Sequence, residues 1–326
     1  MSATVSPERI LKQLAALWVE EGRQGAAGAL RACTMTLVVV SPEDDDWSAL
    51  GETIAALMPE HPSRSILVKL RDGAQRELSE RVYQQCWMPF GQRRQICCEQ
   101  IELTASRAAL GDLPSVLLPL IVADLPVILW CRNPRLLEIA EFGETARLAT
   151  KVVLDSFAYP GAAEAFAAIG RARRGGLEVA DLAWTRLTRW RETLAQVFEN
   201  RARLARLEEI AAVKVTWNEG HETAAWYLAA WIADSLARAG VEVRLEVAPG
   251  AESLRIELSG RGPLVALWRE QDSLMVTVDG LSNRTHLSTP GDCLLMHEEL
   301  ALVRSDPVFQ RALSTAARLA LSSASG

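Results

Sequence analysis

His61-Pro62-Ser63-Arg64 and Asp155-Ser156 carry the polar side chains whose setting could do chemistry. An arginine at the entrance of a strand presents a planar fork of donors to a carboxylate or a phosphate. The competing reading is a turn, in which proline fixes φ and serine bonds the local backbone, and the turn is preferred here. Asp155 ends the apolar run VVLD. Carboxyl ends of strands are where open α/β sheets bind ligands, yet a polar residue there serves equally to cap the next helix. Both readings of Asp155 stand. The third feature is a run of arginines. Arg171, Arg173, Arg174, Arg186, Arg189, Arg191, Arg201, Arg203 and Arg206 fall within 36 residues against Glu178, Asp181, Glu192 and Glu199, a local excess of five positive charges. A solvated helix face with pairs four residues apart would account for such a run. Exclusive use of arginine beside Trp184 and Trp190 tilts the reading towards recognition, because Arg and Trp are enriched at binding hot spots.

No catalytic constellation accompanies these residues. GxGxxG after a strand, GxxxxGK[ST], HExxH and GxSxG are all missing. The four histidines, His61, His221, His286 and His297, sit in four different contexts, and a lone histidine is more often a hydrogen-bonded structural residue than a base. Six cysteines stand at 33, 86, 97, 98, 131 and 293, with no CxxC and no pair at metal-ligand spacing. Free, mostly buried thiols are expected, with no disulfide, no metal and no cofactor.

The elements that must position these residues read as follows. SPERILKQLAALWVEE opens with a serine cap and a proline at the first helical position. MTLVVV (35–40) is apolar throughout, as in a strand covered on both faces. A helix over 44–58 leads to the strand SILVKL, then RVYQQCW and QICCEQIEL form two more strands. A helix over 107–122, a tight ADLP turn, and the strands VILWC and VVLD follow. From Asp181 to about Glu208 the apolar spacing is helical, with Asp181 placed to cap its start. The chain then restarts with AVKVTW, the helix 222–240, five short strands, and two closing helices. The fold class is therefore α/β (mixed α+β): two domains, 1–205 and 206–326, each a mixed sheet flanked by helices, joined by a long amphipathic helix. Both halves run strand, helix, three strands, which hints at an old duplication.

Composition agrees with a globular chain: 326 residues, 49% hydrophobic and 23% charged, with ten Trp against three Tyr. A net charge of −6 argues against general nucleic-acid or anionic-membrane binding. The start lacks a basic n-region and apolar h-region, and Pro114, Pro119, Asp124 and Pro126 interrupt the best membrane candidate, 113–130. A cytoplasmic location is the expectation.

DLAWTRLTRWRE (181–192) resembles the signature segment of the OpcA family of glucose-6-phosphate dehydrogenase assembly proteins. HPSRSILVKL (61–70), DLPVILWCR (124–132), VVLDS (152–156) and AWYLAAWIADSLA (225–237) resemble further segments of that family in the same order. Family members often carry two aromatic residues after LPV where this chain has Trp130-Cys131, which puts any shared redox control in doubt. The resemblance implies an accessory protein of the oxidative pentose phosphate pathway. Such a protein binds the dehydrogenase, promotes its active assembly or activation, and catalyses nothing. It implies Arg64, Asp155, Arg186, Arg189 and Arg191 as contact candidates for a partner or an anion. His61, Pro62, Trp130, Asp181, Trp184, Leu187 and Trp190 would be structural members of its motifs. Two rivals remain. One is a sugar-phosphate or nucleotide hydrolase using Arg64 and Asp155 at one sheet edge. The other is a regulatory domain that senses a phosphorylated metabolite through Arg64 and the basic helix.

Overall fold

A computed structural model describes residues 5–24, 29–87, 95–261, 264–302, 304 and 306–323. In chain order its first elements are α1 (Pro7–Gln24), β1 (Ala29–Arg31), β2 (Met35–Pro42), α2 (Trp47–Leu57), β3 (Ser63–Arg71), β4 (Leu78–Trp87) and β5 (Gln95–Ser106). Next come α3 (Leu113–Leu117), β6 (Val127–Cys131), α4 (Ala140–Arg147), β7 (Lys151–Leu154), α5 (Ala162–Arg174) and β8 (Val179–Asp181). Then follow α6 (Leu182–Thr185), α7 (Thr188–Val197), α8 (Arg201–Leu204), β9 (Ile210–Trp217) and α9 (Glu222–Arg238). The strands β10 (Arg244–Pro249), β11 (Leu254–Gly260), β12 (Val265–Glu270), β13 (Ser273–Val278) and β14 (Leu281–His286) lead to α10 (Asp292–Ala301) and α11 (Pro307–Ser323).

The chain forms two compact units, each discontinuous in sequence. The first takes Met1–Asp155, Ala172–Ala180 and Asp292–Arg304. Its eight-stranded sheet runs β1-β5-β3-β2-β6-β7-β8, with β4 set antiparallel against β5. The pairings β1·β5, β5·β3, β3·β2, β2·β6 and β6·β7 are all parallel. Continuous apolar strands suit this arrangement because both faces are covered. Val38, Val40, Ile66, Val68, Ile101 and Leu129 pack with Ile10 and Leu14 of α1, Leu113 and Val116 of α3, and Phe142 of α4. The alternate residues Leu37, Val39, Leu67 and Trp130 are equally buried.

The second unit takes Ser156–Arg171, Asp181–Gly291 and Ser305–Gly326. Its six-stranded sheet runs β10-β9-β11-β12-β13-β14, parallel only between β10 and β9. Burial alternates along β11, so one face is packed and the other is half open. Gly260 sits at a register shift against β9, where a β-carbon would collide with the backbone of Glu209 and Ala211.

Four expectations need correction. Residues 181–205 do not belong with the first unit, because Asp181 and Trp184 pack against Tyr227 and Phe309. The long amphipathic helix is α6, α7 and α8 in succession, with the chain leaving helical geometry around Leu187 and restarting at Asn200, whose side chain caps α8. The expected helix 107–122 is only α3 between two 3-10 turns, since Pro114 and Pro119 remove N–H donors. Finally, Cys86 and Cys97 are not free thiols. They are direct cross-strand partners on β4 and β5, with Cα atoms 4.0 Å apart, and they form a disulfide. Cys33, Cys98, Cys131 and Cys293 are free.

Candidate functional site

DLAWTRLTRWRE is organised by one buried carboxylate. Oδ1 of Asp181 accepts from the backbone N–H of Ala183, capping α6, and from that of Ser156, both at 3.0 Å. Oδ2 accepts the phenolic O–H of Tyr227 at 2.7 Å. A buried carboxylate costs several kcal/mol unless it is paired or bonded, and these donors meet that demand. Trp184 packs edge-on to Tyr227 and tilted against Phe309, while its indole N–H donates to Oδ2 of Asp306 at 3.3 Å. Leu187 and Trp190 are also buried.

The arginines of the motif have three different environments. The guanidinium of Arg191 lies 3.6 Å over the Trp184 ring and donates to Thr188 at 3.1 Å, so stacking holds it on its own segment. Arg186 is half-buried and sits 5.0 Å over Phe157. Arg189 is the open one: its side chain is 75% exposed and pairs with Glu192 one turn on.

In the first unit Arg64 is spent on an internal partner. It is buried, and its Nε donates to Oε2 of Glu99 at 2.6 Å while Nη1 donates to the carbonyl of Leu120 at 2.7 Å. The same Glu99 accepts from Arg31 at 3.1 Å and from the Trp18 indole at 2.7 Å. A guanidinium so engaged has no fork left for a phosphate, which removes the support that Arg64 gave to an anion sensor. Pro62 serves the turn, its carbonyl accepting from the N–H and hydroxyl of Thr34. His61 meets His297 of α10, Nε2 to Nδ1 at 3.0 Å. Burial, and then the charge of His297, push the His61 pKa down against the opposing pull of Glu60. Trp130 is fully buried, with the Arg132 guanidinium 4.9 Å from its ring.

Arg64 and Asp155 do not converge. Arg64 is level with Thr36 and Val127 at the amino ends of parallel strands, whereas Asp155 lies just beyond the carboxyl end of β7. Five residues along and three strands across place them roughly 20 Å apart. A hydrolase using both at one sheet edge is overturned.

The carboxyl ends of β2, β3 and β6 open onto a crevice of about 360 Å³, lined by Glu43, Asp44, Asp72, Arg107 and Asn133 among others. Strand order reverses here, β3 to one side of β2 and β6 to the other, the usual ligand position in open α/β sheets. Its chemistry is acidic and internally paired. Asp72 binds Arg107 at 2.7 Å and Glu43 binds Arg71 at 2.6 Å. The N-terminus of α2, where a phosphate would seek N–H donors, is occupied by the Asp46 carboxylate, which accepts from Ser48 and Ala49 at 3.1 and 2.9 Å. Beside it, burial would raise the Asp45 pKa, but the hydrogen bonds and charge of Arg132 and the Ser41 hydroxyl hold it below the usual carboxylate range. Arg132 also pairs with Asp292 of α10. Among the described residues no group of three or more His, Cys, Asp or Glu could hold a metal ion, and no helix is long and apolar enough to cross a membrane.

Sequence reasoning missed Glu99, Tyr227, Asp306 and His297. Glu99 carried a signal: a carboxylate directly after Cys97-Cys98 in the strand QICCEQIEL needs a cation or donors if it is buried. The other three had none, because their roles depend on contacts 46, 122 and 236 residues away.

A family model described as the glucose-6-phosphate dehydrogenase subunit N-terminal domain matches residues 54–171. One described as the C-terminal domain of the same subunit, both carrying the OpcA name, matches residues 177–313. A relative from Nostoc punctiforme, provisionally named OxPP cycle protein OpcA, is 28% identical over 141 residues, 43% of this chain and 30% of that protein. A Synechocystis relative of the same name is 26% identical over 200 residues, 59% of this chain and 40% of that protein. The chain thus spans less than half the length of these relatives. Among solved structures, a super-repressor mutant of Gal80p from Saccharomyces cerevisiae is similar at 9% identity and a TM-score of 0.49, covering 90% of this chain and 95% of that one.

Proposed function

We propose, since this chain belongs to the OpcA family of glucose-6-phosphate dehydrogenase subunits, that it binds that dehydrogenase and promotes its active assembly without catalysing a reaction of its own. The observation that carries the proposal is the tandem family match over 54–171 and 177–313, which takes in every segment of the resemblance from His61 to Ala237. The chemistry of the crevice supports it. A nucleotide phosphate there would face Glu43, Asp44 and Asp72, meet an arginine already paired, and find the helix N-terminus filled by Asp46. The place would be the cytoplasm and the oxidative branch of the pentose phosphate pathway.

A binding protein shifts only states that it binds unequally. The dehydrogenase should therefore change oligomeric distribution when this chain is added. Light scattering coupled to gel filtration, with the cognate dehydrogenase alone and mixed with this chain, tests the proposal. A co-eluting complex of altered mass supports it, and two independent peaks at micromolar concentrations reject it.

A further inference from the structure

The second unit carries an open apolar groove of about 340 Å³. It is lined by Leu194 of α7 and Phe198 just past its end, by Trp231, Ile232 and Leu236 of α9, and by Leu258 of β11. The stretches 194–198 and 231–236 each run one to two helical turns, roughly 6–8 Å. That length accommodates two apolar side chains from successive turns of a docked helix. Polar groups scarcely enter the groove. Ser235 turns its hydroxyl back to the carbonyl of Trp231 at 2.7 Å.

The rim has a definite charge. The chain passes from Glu199 to Leu207, both lining residues, through α8, which carries Arg201 and Arg203. Arg238 follows Leu236 at the end of α9. Among the described residues none of these three arginines has an ion-pair partner, whereas Arg206 is held by Glu209 and the Arg261 carbonyl. Leu204, between the arginines, is 52% exposed. Three unpaired guanidinium groups around the groove against the one carboxylate of Glu199 on its lining leave the rim net positive, in a chain of net charge −6, and an apolar trough with such a rim is complementary to one kind of ligand.

We infer that this groove is the docking site for an amphipathic helix of the dehydrogenase that carries acidic residues beside its apolar stripe. The inference rests on the proposed function and adds the surface and the chemistry of the contact. Two variants test it by titration against the cognate dehydrogenase at low and high salt. Ala195→Trp fills the groove from an exposed position of α7. Joint Arg201→Glu, Arg203→Glu and Arg238→Glu reverses the rim without breaking any ion pair among the described residues. Circular dichroism of both variants should match the parent chain. Each should weaken binding about tenfold or more, and the arginine variant should lose the salt dependence of the parent complex. A photocrosslinker at position 204 should label an acidic helix of the dehydrogenase. Parent-like binding by both variants, or crosslinks to an extended segment or to a second copy of this chain, overturns the inference and leaves the proposed function standing. Failure of the parent chain itself to bind overturns both.

Discussion

Tyr227 of α9 donates its phenolic O–H to Oδ2 of Asp181, the N-cap of α6, at 2.7 Å, and both residues are buried. The bond joins the start of DLAWTRLTRWRE to α9 within the second unit. Tyr227→Phe removes one donor from a buried carboxylate and should cost about 2 kcal/mol. In urea unfolding the midpoint should fall with the slope unchanged. A parent-like midpoint would show that the remaining donors suffice.

Trp190 and Arg189 should separate folding from binding. Trp190 is buried, so Trp190→Ala should cost roughly 3–5 kcal/mol of stability. Arg189→Ala removes one exposed ion pair, about 0.5 kcal/mol. If Arg189 meets the partner, the variant binds the dehydrogenase more weakly at low salt while its melting curve barely moves.

Arg64 is assigned to structure. Arg64→Ala strands Glu99 in the interior with fewer donors and should destabilise the first unit by about 3–5 kcal/mol. An anion-binding arginine would instead leave the melting temperature intact.

The histidine pair predicts a pH dependence with a definite sign. Burial and His297 lower the His61 pKa in the folded chain, so the unfolded chain, near 6.5, takes up its proton first. Stability is full above about 6.5 and is lost as pH falls through the folded value. His61→Gln should flatten the change in urea midpoint between about pH 7.5 and 5.5. An equally steep profile in that variant would place the dependence elsewhere.

Thiol chemistry offers an independent check. Alkylation of the unfolded, unreduced chain should modify four cysteines, and six after reduction. Natively, Cys131, pushed up to about 12 by burial, and Cys98, pushed up to about 11, should react last. Replacing Cys86 and Cys97 by serine should cost about 3 kcal/mol for a closed loop of this length. Six reactive thiols without reductant would contradict the bridge.

Much of this fold was legible because apolar pattern and burial have the same cause. MTLVVV became the both-faces-buried β2, and the alternation in SLRIELS became the half-open β11. The breaks between α6, α7 and α8 were hidden because Trp184, Leu187, Trp190, Leu194 and Val197 keep helical spacing across the first of them. Asn200 was the overlooked signal, a capping residue in mid-pattern. The disulfide was not readable from spacing, since it depends on the β4–β5 register that sets Cys86 opposite Cys97. The candidate site was legible as a motif but not as chemistry. Sequence shows arginines, and only packing shows that Arg191 is stacked on Trp184 while Arg189 is open.

The most direct test of the account is a kinetic titration. The cognate glucose-6-phosphate dehydrogenase is assayed at subsaturating glucose 6-phosphate with increasing amounts of this chain, while the chain alone is assayed as the control. The account predicts a rate that rises and saturates with this chain's concentration, and no turnover by the chain alone. An unchanged rate at every concentration, with an unchanged oligomeric state, would contradict it.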